Sequence, residues 1–319
     1  MVHAIASETA TKYGRSEKEA YLLACSIVSA KPRNLGGIPD IREPATGYIL
    51  RYTTDLLIER GETELEFSKG EPVRTVVHGL GAVGLNYIRT EYDSIGRQMI
   101  SPASGDMKLV GISDIYGTVE SPGGIDPRVV SSIHAQLSRV FWDQNISEGR
   151  KIKEIDSLIR KHLDESARFI PGFGQDADTS YFLSVGADVL ALCATPRGVV
   201  NNENVGRLLD NPDGPKVITE GANHPILDEA ETAILGTEGI MIIPGEEANR
   251  GGRACSSAEV EGKINGKTSA QEAFSHLKEA QQKSVREVSE FQKRRLGGTT
   301  NRRAALYALG ILKAVAKTN

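Results

Sequence analysis

Cysteine is scarce in this chain, and the spacings that bind metals are missing. Its 319 residues contain three cysteines, Cys25, Cys193 and Cys255. They lie far apart and are odd in number, which excludes a disulfide framework and a CxxC knuckle. Reduced thiols in a cytoplasmic protein are the expectation. Six histidines are scattered without an HExxH pair, so no metal site is expected. No apolar run exceeds about seven residues, far short of the roughly 20 that span a bilayer. The N-terminal stretch MVHAIASETATKYG has neither a cationic start nor an apolar signal core, so export is not expected. A basic excess is also lacking. The net charge of −4 gives no electrostatic footprint for nucleic acid or anionic lipid. There is no internal repeat and no low-complexity segment.

What is present is ordinary globular material, 39 % hydrophobic and 25 % charged, in a chain long enough for one large α/β domain or two small ones. Ser16–Ser29 carries a serine cap, a glutamate three residues on and apolar positions at helical spacing. Lys31–Gly47 is rich in proline and glycine and reads as an ordered turn region. Tyr48–Arg60 resumes helical periodicity and stops at Gly61, and Glu62–Pro72 is a polar connector. Short β-branched runs follow at Val73–His78, Lys108–Asp114, Asp188–Ala194, Lys216–Gly221 and Gly239–Gly245, separated by helical or loop segments. Continuous apolar strands alternating with helices predict an α/β fold, a doubly wound and mostly parallel Rossmann sheet covered on both faces. An N-terminal helical arm precedes it, with the boundary near residues 45 and 46. Two C-terminal helices, Gln271–Gln292 and Asn301–Lys317, are predicted to pack back on it. The regularly spaced Phe274, Leu277, Val285, Val288 and Phe291 form the packing face of the first.

The first strand runs directly into Gly79-Leu80-Gly81-Ala82-Val83-Gly84, followed by a predicted helix from Leu85 to about Tyr92. Each glycine has a role at this spacing. Gly79 permits a tight turn, Gly81 lets backbone reach a diphosphate, and Gly84 lets helix and strand approach. A GxGxxG string alone is weak evidence. Here it stands between strand and helix, and the second strand ends at Asp114, an acid able to accept bonds from ribose hydroxyls. Thirty residues separate Gly84 from Asp114, more than the usual gap of roughly 20. The polar stretch Asp93–Asp106 reads as an inserted loop. Together these features predict binding of NAD, with NADP as the alternative. Asp114 leans toward NAD because a 2′-phosphate would meet a like charge, although Arg97 or Lys108 could be brought close by the inserted loop.

Several stretches together resemble the coenzyme-binding half of the glutamate/leucine/phenylalanine/valine dehydrogenases. LGGIPDIREPATG is similar to the hinge leading into the coenzyme domain, and ISDIYGTVESPGGID to the second strand and the loop after it. DVLALCATPRGVV and KVITEGANHPILDEA are similar to the fourth and fifth strands, and NRRAALYALGILKAVA to the final helix. IIPGEEANRGGRACSSAE carries an N-x-GG-x-x-x-S pattern. The order holds over about 280 residues. The resemblance implies that Thr46 approaches the nicotinamide carboxamide and that Asn223 and Asn249 lie beside the nicotinamide ribose or ring. It implies that Ser256 sits on a substrate carboxylate and that the Gly79–Gly84 loop holds the diphosphate. Asp114, with Ala194 and Thr195 after the fourth strand, completes the cofactor-binding set. Only some forty residues precede the hinge match, and no GGGKGG-like loop with the family's catalytic lysine is found. The second variable position of the phosphate loop, often asparagine in the family, is Ala82, and the residue after the double glycine is Arg253.

Other groups are read with two meanings each. His224, next to Asn223, is either a proton-transfer group or a loop histidine with a structural bond. Arg250 and Arg253 either clamp a substrate carboxylate or are solvated surface charges. Cys255 is expected in small core packing, and His78 is expected to pack beneath the loop. Lys31 could point at the cleft. The insert Pro127–Phe169, with His134 and Trp142, is a lid, an interface or a solvated face. Three functions stay open: an NAD(P)-dependent oxidoreductase on a small amino, hydroxy or oxo acid, the coenzyme subunit of a split dehydrogenase, or a non-catalytic NAD-binding regulator. An exposed nicotinamide cleft favours a homo-oligomer in which the arm or the insert of one subunit borders the other's cleft.

Overall fold

The computed structural model describes residues 11–12, 16, 39–63, 71–89, 107–194, 197–265, 267–296 and 301–318. The helix expected after Ser16, Cys25, Lys31, the inserted loop with Arg97, and Thr195 lie outside them.

Seven strands form one sheet in the order β4-β3-β2-β1-β5-β6-β7. They are β1 (Val73–His78), β2 (Met107–Asp114), β3 (Gly117–Ile125), β4 (Arg168–Pro171), β5 (Val189–Leu192), β6 (Val217–Glu220) and β7 (Met241–Ile243). The five predicted strands are β1, β2, β5, β6 and β7, and all pair in parallel. Alternation sends neighbouring residues to opposite faces. Val77, Val189, Ala191, Val217 and Ile243 enter one core, while Val76, Leu190, Leu192, Ile218 and Ile242 enter the other. A sheet buried on both sides explains why these strands read as unbroken apolar runs.

Two expectations are corrected. The stretch after Asp114, read as a loop, is strand β3, antiparallel to both β2 and β4. Its Ser121-Pro122-Gly123-Gly124 sequence resembles turn chemistry, but it lies in the part of β3 where the β2–β3 register is irregular, the setting in which a sheet tolerates proline. The segment Lys31–Gly47 was expected to be turn throughout, yet α1 (Pro39–Glu59) is one continuous helix with Pro44 inside it. Tertiary burial overrides the local signal here, since Ile41, Ala45 and Ile49 pack with Cys255, Ala258, Phe274 and Leu277 in a third core.

The remaining helices are α2 (Ala82–Ile88), α3 (Pro127–Trp142), α4 (Glu148–His162), α5 (Val205–Leu209), α6 (Asp228–Leu235), α7 (Gly245–Ala248), α8 (Gly251–Val260), α9 (Ala270–Arg295) and α10 (Arg302–Thr318). The insert becomes α3, α4 and β4. Ile133, Leu137, Ile155 and Ile159 bury against the first sheet face, so the charged helix α4 is amphipathic rather than solvated all round. Trp142 at the end of α3 is exposed. Helix α9 begins with a complete capping box between Ser269 and Glu272, and its predicted packing residues Phe274, Leu277, Val285 and Val288 are buried.

Candidate functional site

The strand order reverses at β1, with β2 on one side and β5 on the other. In open α/β sheets ligands bind beyond the carboxyl ends of the strands at such a point. The loop Gly79–Gly84 occupies this position, and the three glycines divide the steric work as their spacing requires. Gly79 has φ +93° and its absent Cβ would run into the Ala194 backbone. A Cβ on Gly84 would overlap the Gly79 carbonyl oxygen and reach 3.3 Å from the Val77 Cγ1 methyl. A Cβ on Gly81 would meet no atom within 4 Å. Two glycines are therefore needed by the fold, and the third opens backbone toward solvent. Leu80 is fully buried, whereas Gly81 and Ala82 are exposed at the start of α2.

Asp114 completes this end. Its Oδ2 accepts the Leu80 amide at 2.7 Å, and its Oδ1 accepts the Ile115 amide at 2.7 Å. The carboxylate thus ties the second strand to the phosphate loop. Asp114 and Ala194 line a cavity of about 740 Å³ with His78, Ser113, Asn201, Asn204 and Arg207, among others. The last three come from the segment after β5 and from α5, and the sequence reading missed them. Their polar side chains are divided between this cavity and turn bonds, such as Asn204 Nδ2 to the Val199 carbonyl at 2.8 Å.

A second cavity, about 440 Å³, gathers Asn223, His224, Asn249, Arg250 and Arg253, with Glu220, Glu246 and Arg303. Five residues singled out in the sequence therefore converge although three chain segments supply this wall. Asn249 donates to Asn223 Oδ1 at 3.3 Å. His224 has φ +52°, the single non-glycine residue at positive φ among the described residues. Arg250 donates to Ser284 of α9. Burial, and then the neighbouring Arg253, lower the pKa of its guanidinium. Two cations facing one cavity favour an anion between them. Thr46 and Ser256 do not line this cavity. Thr46 Oγ1 accepts the Gly252 amide at 3.1 Å, and Ser256 accepts from Arg42 at 2.6 Å while donating to the Gly252 carbonyl. Both buttress the double glycine. A Cβ on Gly251 would overlap Ala45, so α1 and α8 touch there. Cys255 is buried in the third core and its thiol is pushed up to about 11 by burial, as packing rather than nucleophilic use requires.

Glu220 and Arg303 were not anticipated. Arg303 bridges Glu220 at 2.7 Å and Glu231 at 2.9 Å, and also binds Glu246. Glu220 is fully buried, burial pushes its carboxyl up, and its Oε1 has no partner. Only Glu-Gly-Ala-Asn within KVITEGANHP pointed this way.

The match to the model of the Glutamate/Leucine/Phenylalanine/Valine dehydrogenases covers residues 36–318. The chain belongs to that family. It is 27 % identical over 288 residues to a glutamate dehydrogenase of Aeropyrum pernix, covering 89 % of this chain and 56 % of the relative. To the NADP-specific glutamate dehydrogenase of Saccharolobus shibatae it is 27 % identical over 292 residues, covering 91 % and 56 %. The chain thus spans little more than half the length of these relatives. A solved glutamate dehydrogenase superposes with a TM-score of 0.68 at 19 % identity, covering 98 % of this chain and 60 % of that one. The hetero-hexameric enzyme of Thermus thermophilus gives 0.63 at 20 % identity, covering 93 % and 59 %. These likenesses are of fold. The family uses NAD or NADP.

His78 ends β1 and stacks on Phe182, with ring centroids 4.1 Å apart and an interplanar angle of 12°. Burial lowers its pKa to about 4, opposed weakly by Asp114. The depressed pKa means the neutral imidazole is folded in, and the unfolded chain binds the extra proton below about 6.5. Stability from this group is therefore complete above pH 6.5 and lost as pH falls toward 4, by up to about 3 kcal/mol. Urea melts at pH 7.5, 5.5 and 4.0 should show this loss, and His78→Phe should flatten it. Parallel loss in both proteins would assign the acid transition to other groups.

Proposed function

We propose that this chain is the coenzyme-binding part of an NAD(P)-dependent oxidoreductase acting on a small amino, hydroxy or oxo acid. The observation that carries the reading is the loop, where Gly79 and Gly84 are sterically required and Gly81 alone faces open space. That cradle fits a diphosphate. In this reading the Gly79–Gly84 backbone holds the diphosphate and Asp114 accepts from the adenosine ribose. Asn223 and Asn249 frame the nicotinamide end, and Thr46 supports that wall from behind by accepting the Gly252 amide. The bound cofactor supplies a hydride acceptor or donor at its ring.

The chain's own residues then position and protonate. Arg250 and Arg253 hold a substrate carboxylate in two-pronged fashion. Among the described residues the Arg253 side chain has no hydrogen-bond or ion-pair partner, which leaves its guanidinium available. His224, exposed on the same wall, moves the proton. No lysine lines this cavity among the described residues. That favours, as the second reading, a coenzyme part whose remaining catalytic groups come from a further domain or a separate chain. Calorimetry with NAD and NADP, then turnover with 2-oxo acids plus ammonium and with amino and hydroxy acids, tests the assignment. Failure to bind either dinucleotide would end it. Binding without turnover would select the second reading or a non-catalytic role.

Asp114 sets the cofactor preference. NAD should bind at least about tenfold more tightly than NADP, because a 2′-phosphate would approach the carboxylate. Dissociation constants favouring NADP would show that another group overrides it.

The assembly is proposed to be a homo-oligomer, in which a neighbouring copy walls the cavity around Arg250 and Arg253. The insert does not do so within one chain, since no residue of α3 or α4 lines either cavity. Light scattering should report a dimer or larger species, and a strict monomer would rule this out.

A further inference from the structure

Among the described residues, the cavity beside Asp114 is lined by one residue with a buried side-chain polar atom that the protein leaves unsatisfied. His78 Nδ1 is buried and has no hydrogen-bond partner. A buried donor or acceptor without a partner leaves its desolvation cost unrecovered, so the position calls for an external one. The imidazole is fixed in place. One face lies against Phe182, nearly parallel, and the backbone is locked in β1 between Ser113 of β2 and Leu192 of β5. The residue keeps some exposed surface. It lines the same cavity as Asp114, Ala194, Asn201 and Asn204. Its side chain points to the second sheet face, with Val76, and so lies on the opposite side of the strand from Val77, which faces the helix of the phosphate loop.

We propose that His78 is a recognition residue for the adenosine half of the dinucleotide, its ring nitrogen completing a hydrogen bond with the base or ribose bound in this cavity. The inference rests on the cofactor reading above and adds to it a side chain that the glycine loop and Asp114 do not imply. Adenosine suits the role chemically. It offers ring-nitrogen acceptors, an amino donor and hydroxyls of both kinds, so a neutral imidazole finds a partner in either tautomer. The stacked Phe182 makes the position rigid, and a rigid partner contributes specificity at low entropic cost.

The test is calorimetry of the full chain with NAD, ADP-ribose and nicotinamide mononucleotide. His78→Phe keeps an aromatic ring against Phe182 and removes both nitrogens. It should weaken NAD and ADP-ribose by at least about tenfold and leave nicotinamide mononucleotide unchanged. His78→Gln restores a donor and an acceptor and should stay within about threefold of wild type. Equal affinity of His78→Phe and wild type would show that water alone serves the nitrogen and would overturn the proposal. So would a matching loss for nicotinamide mononucleotide, which signals general damage to the site. Should the variants unfold, histidine ¹⁵N spectra of the wild type decide, because the His78 Nδ1 resonance must move on addition of ADP-ribose. An unmoved resonance overturns the inference while the cofactor reading survives. Wild-type protein that binds none of the three ligands defeats both, and is recognised because no variant is then needed.

Discussion

Gly81→Val will weaken NAD binding by at least about a hundredfold, close to 2.7 kcal/mol, while the folded domain persists. The two halves of this expectation have separate physical causes. Gly81 has φ −72° and ψ −167°, which any residue can adopt, so valine introduces no backbone strain. Its Cβ would meet nothing within 4 Å, so no core contact is disturbed. The residue precedes α2 without a side-chain cap, and losing glycine at such a position costs at most about 1 kcal/mol, or about 3 °C in a domain of this size. The space that receives the new methyl groups is the space through which a diphosphate must reach the backbone amides. Gly84→Ala provides the contrast. Its Cβ would overlap the Gly79 carbonyl oxygen, so that variant should lose stability first and binding only as a consequence. Calorimetry with NAD and thermal melts of both variants measure the two effects independently. Unchanged affinity in Gly81→Val would show that this loop does not carry the phosphates.

The contrast between those glycines also shows what a sequence can reveal. GLGAVG is legible because its constraints are local: a turn at positive φ, a close helix crossing and an open amide, all within six residues of the preceding strand. The five parallel strands were legible because burial on both faces leaves an apolar run. Strand β3 was not, since Pro122, Gly123 and Gly124 carry turn signals, and only the pairing of Gly117–Glu120 and Ile125 on either side of them holds the segment in the sheet. Nor was α1 as a single helix, because Pro44 reads as a break and only the pocket formed by Cys255, Ala258 and Phe274 shows why Ile41 and Ala45 continue it. Arg250 and Arg253 were found through a motif that places them beside Asn249. Glu220, Glu231, Glu246 and Arg303 come from four separate segments, and no spacing within the chain announces that they meet. His78 reads in the sequence as packing beneath the loop, whereas its ring stacks on Phe182 at the sheet face opposite the loop's helix. That its Nδ1 lacks a partner depends on every side chain around it, which no periodicity encodes.

Arg302→Met will destabilise the fold by about 3–5 kcal/mol, and the reason lies in what it leaves behind. Arg302 is 1 % exposed at the start of α10. Its Nε donates to Glu247 Oε2 at 2.7 Å and its Nη2 to Glu247 Oε1 at 2.5 Å, a bidentate pair with a fully buried carboxylate. Its Nη1 reaches Glu62 Oε2 at 3.0 Å and Gln292 Oε1 at 3.0 Å. One guanidinium thus joins α7, α9, α10 and the start of the segment after α1. Methionine fills similar volume, so the cavity penalty is small. Glu62 keeps its pair with Arg60 at 2.6 Å, but the fully buried Glu247 loses the cation that pairs it, and that uncompensated charge dominates the cost. The triple variant Arg302→Met, Glu247→Gln, Glu62→Gln separates the loss of charge pairing from the loss of packing. Removing the charges along with their partner should recover at least half of the lost stability in urea melts. If the triple variant is as unstable as the single one, the loss comes from packing rather than charge. The same strut explains a functional consequence. Glu247 lies two residues before Asn249, which faces the cavity shared with Arg250 and Arg253. Loosening α7 in Arg302→Met should therefore weaken NAD binding under conditions where the protein is still folded, and the triple variant should restore part of it. Full affinity in the folded single variant would show that Asn249 is held in place without the Arg302 strut.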